Sequence, residues 1–122
     1  MVEIIHTAAG DKILRQATGD VDYYPNGGSV QPGCENGNII CNHFRGFELY
    51  AEAINSAGSL VSRMCNNYEN FTNGLCNNNE IVYFPGAQKI IKPSGKYYLL
   101  TNNKQPFGLG EEGSIRLNTS YF

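Results

Sequence analysis

The chain has 122 residues and a net charge of −2, from nine Lys and Arg against eleven Asp and Glu. That is one domain at most, able to bury about two thirds of its unfolded surface. The basic residues are scattered, which leaves nucleic acid out of the expected partners, and no stretch of eighteen apolar residues is present to span a bilayer.

Val2–Thr7 is rich in β-branched residues and reads as a strand. Ala8–Asp20 is a polar loop with weak helical character at Lys12–Gln16. Val21–Tyr24 is a short strand halted by Pro25-Asn26-Gly27-Gly28, and Ser29–Ile40 continues as loop. A helix is expected from Cys41 or Asn42 to about Ala57. Its stripe Phe44, Phe47, Ala51 and Ile54 should pack on a sheet. Arg45, Glu48 and Glu52 should face water, with Arg45 in reach of either glutamate. Ser59–Met64 reads as a second, shorter helical segment. Cys65–Asn79 holds seven of the fifteen asparagines and reads as a surface loop. Ile81–Phe84 is a brief strand. Lys96–Thr101 and Ser114–Tyr121 alternate as strands, hairpin-like across Pro106–Gly113. Strand, loop, strand, helix, then strands describes a mixed α/β piece.

Six residues separate Cys34 from Cys41 and ten separate Cys65 from Cys76. Zinc knuckles need Cys-x2-Cys, so no metal site is expected. Four cysteines allow three connectivities. Proximity favours Cys34–Cys41 and Cys65–Cys76, and bridges imply an oxidising compartment. Asn70-Phe71-Thr72 and Asn118-Thr119-Ser120 are glycosylation sequons. Met1–Thr7 has no basic start, apolar core or cleavage site, so a secretory composition is expected here without its signal peptide. No Gly-x-Ser-x-Gly elbow occurs; Gly27-Gly28-Ser29-Val30-Gln31 lacks the last glycine. Only two histidines, His6 and His43, are available for acid–base work.

Several ordered motifs together resemble the pancreatic lipase family. They are Glu3-Ile4-Ile5-His6-Thr7, Val21-Asp22-Tyr23-Tyr24-Pro25-Asn26-Gly27-Gly28, Gln31-Pro32-Gly33-Cys34 and Cys41-Asn42-His43-Phe44-Arg45. The spacing of Cys65 and Cys76 also fits. The resemblance covers nearly the whole chain. It implies a partial α/β-hydrolase fold: the C-terminal half of the sheet, the helix after the catalytic histidine, and two local disulfides. It also implies secretion and hydrolysis of lipid esters by a Ser-Asp-His triad without a cofactor.

By the same resemblance His43 is the triad base. The family's serine elbow and aspartate motif lie upstream of the Ile-His-Thr strand, so residues 1–122 are expected to form a single partial domain lacking both. Loss of triad members costs on the order of a millionfold, so the chain alone is expected to be inactive. The family lid corresponds to Cys34, Glu35, Asn36, Gly37, Asn38, Ile39, Ile40 and Cys41. A lid this short resembles the phospholipase A(1) branch, including insect and venom members. It favours phospholipid over triglyceride, met at a lipid–water interface. The alternative is a non-catalytic lipase-like protein that binds or stores lipid, as insect yolk proteins do.

Other residues have plainer expected roles. His6 is structural, with no acid at useful spacing. Asp22 is a backbone acceptor beside a turn, and Asp20 stands where many family members have His. Ser29 is a turn serine. Tyr97 and Tyr98 belong to the core, and Gln31-Pro32-Gly33 shapes the approach to the first bridge.

Overall fold

A computed structural model describes residues 2–9, 19–84 and 94–115. Five strands form one sheet in the order β1-β2-β5-β3-β4. They are β1 (Glu3–Ile5), β2 (Val21–Pro25), β3 (Val61–Met64), β4 (Ile81–Tyr83) and β5 (Gly95–Leu99). β1, β2 and β5 run parallel, with Ile5 opposite Tyr23 and Tyr23 opposite Tyr97. β3 runs antiparallel to both β5 and β4. This mixed sheet with helices is the partial α/β architecture that the sequence implies.

All five residues of β2 are buried, which requires cover on both faces of the sheet. The period-two alternation of strands assigns the cover. Val21, Tyr23, Tyr97 and Leu99 join a cluster with Leu49 and Ala53 of α1 (Ile39–Asn55). Tyr24 and Tyr98 join Phe71 of α2 (Tyr68–Thr72) and the bridged Cys65 and Cys76. α1 and α2 therefore lie on opposite faces, and Tyr97 and Tyr98 are both core residues, as expected.

Both local disulfides form, Cys34–Cys41 and Cys65–Cys76, and no described cysteine is free. α1 begins at Ile39, ahead of the expected start, because the Asn38 side chain caps it by accepting from the Cys41 N–H at 3.0 Å. Its buried stripe is Asn42, Arg45, Leu49 and Ala53, the reverse of the expected orientation. Phe44, Phe47 and Ile54 are 56%, 65% and 63% exposed, and Ala51 is exposed too. Arg45 replaces hydration with internal partners: its Nη1 donates to the Pro32 carbonyl at 2.7 Å and its guanidinium lies 4.3 Å over the Phe107 ring. Glu48 is the glutamate it reaches, at 3.4 Å. Glu52 instead accepts the backbone N–H groups of Phe107 and Gly108, at 2.6 and 2.7 Å.

Three further expectations are corrected. The segment expected to be a second helix, Ser59–Met64, contains β3. Val61 and Ser62 are fully buried, and Ser62 Oγ donates to the Val82 carbonyl on β4. The asparagine-rich loop contains α2, started by the Asn67 side chain accepting from the Asn70 N–H at 2.8 Å. At the other end, Glu111–Ser114 is a 3-10 turn rather than the start of a strand. Tyr97 and Tyr98 of β5 already face β2 on one side and β3 on the other, so no edge of β5 is left for a following hairpin strand. Lys12–Gln16 and the remainder of the last expected strand, 116–121, lie outside the described residues.

Candidate functional site at the carboxyl ends of the parallel strands

In open α/β sheets, ligands bind beyond the carboxyl ends of the parallel strands. Here those ends lead into His6-Thr7 after β1, Asn26 after β2 and Thr101 beyond β5. The Pro-Asn-Gly-Gly turn is pinned at this edge. Asn26, at φ 54°, donates to Gln31 Oε1 (2.9 Å) and Thr101 Oγ1 (2.8 Å), and its own Oδ1 accepts from the Thr101 N–H (3.1 Å). Gly28 has a φ of 86°, and a Cβ there would stand 2.7 Å from the Tyr24 ring. Only glycine fits both the conformation and the space.

Gln31 extends this network toward the helix. Its Nε2 donates to the carbonyls of Pro25 (3.0 Å) and Thr7 (3.3 Å), and its N–H donates to Asn42 Oδ1 (2.8 Å). With Asn42 fixed from Gln31 and Arg45 fixed on Pro32, the first turns of α1 are held from two sides. His43 sits between these two buried anchors and is itself exposed. Gln31-Pro32-Gly33 thus does more than shape the approach to the bridge. Gln31 and Asn42 form a buried link between this edge and α1 that sequence reasoning missed. The available signal was a polar residue beside His43 on the same helical stripe as Leu49.

His43 overhangs a groove of about 720 Å³ between β1 and α1, lined by Glu3–Ala9, Gly46, Phe47 and Tyr50. Phe47 meets the imidazole edge-on, with ring centroids 6.3 Å apart. Thr7 Oγ1 donates weakly to the His43 carbonyl at 3.5 Å, while a Cβ at Gly46 would lie 3.4 Å from that same hydroxyl. Helix and strand approach closely here, to within ordinary van der Waals contact of a Cβ at position 46. Among the described residues no hydrogen-bond partner holds the His43 imidazole, which leaves its nitrogens open to an incoming group.

His6 differs from its expected setting. Its Nε2 lies 2.8 Å from Asp22 Oδ1 with both side chains buried, and its ring stacks on Tyr24 at 4.4 Å. Strand pairing sets Ile4 opposite Asp22, which brings the acid across from a histidine sixteen positions away in sequence. The role remains structural, because both Asp22 oxygens also accept the Gly19 N–H, at 3.3 and 3.2 Å. That local backbone contact is the one expected of Asp22. Ser29 is a turn serine that donates to the Ala9 carbonyl at 2.7 Å. In the expected lid, Cys34–Asn38 make the turn, while Ile39, Ile40 and Cys41 already belong to α1.

The lipase family model matches residues 1–107. The chain belongs to the lipase family. It is 35% identical over 124 aligned positions to phospholipase A1 member A of Bos taurus, covering 87% of this chain and 27% of that protein. Lipase member H-B of Xenopus laevis is 32% identical over 63% of this chain and 18% of its own length. Lipoprotein lipase of Rattus norvegicus is 30% identical over 87% of this chain and 28% of its own. This lipase-family chain therefore spans little more than a quarter of relatives such as the first, and those relatives are named for both phospholipid and lipoprotein lipids. The disulfides accord with an oxidising compartment. No described helix is long and apolar enough to cross a membrane.

Proposed function

We propose that this chain supplies the histidine base of a secreted lipid ester hydrolase of the phospholipase A(1) type, working as the C-terminal part of its catalytic domain. The observation behind this reading is His43 itself: exposed, free of hydrogen-bond partners among the described residues, and set at the carboxyl edge of the parallel strands above an apolar-walled groove. A base oriented this way takes the proton of an attacking serine hydroxyl and returns it to the departing alcohol. The serine and the orienting aspartate come from polypeptide outside residues 1–122. Support for that division is the small share of its relatives that the chain covers. Phospholipid is favoured over triglyceride because the turn closed by Cys34 and Cys41 is too short to shelter a triglyceride. The substrate is met at a lipid–water interface.

The test uses two proteins: this chain alone, and the chain joined to the in-frame coding sequence that precedes it. Only the longer polypeptide is expected to release fatty acid from a fluorogenic phospholipid and to label with a fluorophosphonate serine probe. His43→Ala in the longer form should lower kcat by about 10⁴-fold or more. Turnover unchanged by that substitution would remove His43 from the mechanism. An unlabelled longer polypeptide that still binds lipid would favour the non-catalytic, storage-type reading.

A further inference from the structure

We propose that Asn70 is an N-glycosylation site whose glycan stands on the face of the sheet opposite α1. The inference rests on the setting of Asn70-Phe71-Thr72 in α2 and is independent of the hydrolase reading. Phe71 is fully buried, its ring 5.9 Å from that of Tyr98 in the cluster under the Cys65–Cys76 bridge. The middle residue thus anchors the sequon inward and leaves Asn70 and Thr72 partly exposed on either side. The backbone of Asn70 is fully employed. Its N–H donates to Asn67 Oδ1 at 2.8 Å and its carbonyl accepts from the Leu75 N–H at 3.0 Å. Its carboxamide has no hydrogen-bond partner among the described residues, so the fold asks nothing of the group that would be modified. Thr72 Oγ1 only returns a local bond to the Glu69 carbonyl at 3.0 Å.

Compartment and surface chemistry agree with this assignment. Both described disulfides are closed, which accords with the oxidising lumen in which asparagine-linked transfer takes place. The donor class is a lipid-linked pyrophosphoryl oligosaccharide. The Asn70 Nδ2–C1 bond forms as the sugar C1–O bond to phosphate breaks. The lipid pyrophosphate leaves, and the Nδ2 proton passes to a base of the transferase. Leu75, joined to Asn70 through that backbone bond, is 71% exposed, and a glycan at Asn70 would shade it. The His43 groove is walled by α1 and β1, so it stays open.

The test is cotranslational and so does not depend on the variants' stability. The full chain, behind an appended cleavable leader and carrying Asn118→Gln, is translated in the presence of microsomes. The protease-protected product should run one glycan heavier and return to the unmodified mobility on peptide N-glycosidase treatment. Asn70→Gln and Thr72→Ala should each abolish the shift, and Thr72→Ser should preserve it. A protected product without a shift, or a shift that survives Asn70→Gln, overturns the proposal.

Discussion

Arg45 shows how a charged residue comes to be buried at a helix start. Only 4% exposed, it exchanges hydration for the Pro32 carbonyl, the Phe107 ring and a partly exposed Glu48. A hydrogen bond involving a charged group contributes about 1.5–3 kcal/mol, and a desolvated cation–π contact about 2 kcal/mol. Arg45→Ala would also leave the Pro32 carbonyl without its charged donor. We expect a loss of roughly 2–4 kcal/mol, measured by urea denaturation. Arg45→Lys should recover little of it, because an ammonium group cannot bond the carbonyl while stacking flat on Phe107. Full recovery by lysine would mean that charge alone matters. At this scale the sequence was legible where chemistry is local. The two cysteine pairs could be read from their short spacings. Asp22 as the partner of His6 and Phe107 as a partner of Arg45 could not, because each is brought in through the fold and leaves no sequence periodicity.

At the level of elements, α1 holds two helical stripes, and its sequence advertises the wrong one. Phe44, Phe47 and Ile54 form the more hydrophobic stripe, yet Leu49 and Ala53 meet the sheet. Amphipathicity reveals that an apolar face exists, not which surface covers it. Leu49→Ala should therefore cost about 2–5 kcal/mol by leaving a cavity against Tyr23 and Tyr97. Phe44→Ala should change the unfolding free energy by no more than about 0.5 kcal/mol. Equal losses at the two positions would contradict the observed orientation. β3 was misread for a related reason. Ser59–Met64 is too short to separate a helical period from a strand period, and its pairing with β4 and β5 decides the matter. On the other face, His6, Tyr24 and Tyr98 stack in sequence at 4.4 and 5.2 Å. Burial pushes the Tyr24 phenol up to about 12, helped by the Asp22 charge. Burial likewise pushes Tyr98 up to about 12, helped by Tyr24. An acid whose folded pKa is raised contributes stability that is full below its unfolded value, near 10, and is lost as pH rises through about 12. Far-ultraviolet circular dichroism should thus record unfolding across that interval, together with tyrosinate absorbance. Tyr98→Phe should move the transition to higher pH.

For the whole molecule, the sheet order could not be derived from strand order. β5 lies between β2 and β3, so the last of the described strands closes the middle of the sheet. That insertion is a long-range choice made by packing, with Tyr97 and Tyr98 filling both faces at once. It leaves β1 at one edge, paired among the described strands with β2 alone, beside a groove and a helix face that are apolar and exposed. Ile39, Ile40, Phe44, Phe47 and Ile54 are each more than half exposed, an unusual run for a soluble surface. An open parallel edge next to such a face is a template for association. We therefore expect the isolated chain to self-associate in sedimentation velocity as its concentration rises through the micromolar range, and to bind an apolar fluorescent dye. Phe47→Glu should reduce both signals while leaving helix content intact, because Phe47 is 65% exposed and supports no buried cluster. In the longer polypeptide of the proposed hydrolase, the same face would be covered and dye binding should fall to the level of an ordinary monomer. A monodisperse, dye-silent isolated chain would show that these side chains find cover within residues 1–122, and would count against the division of the catalytic domain proposed above.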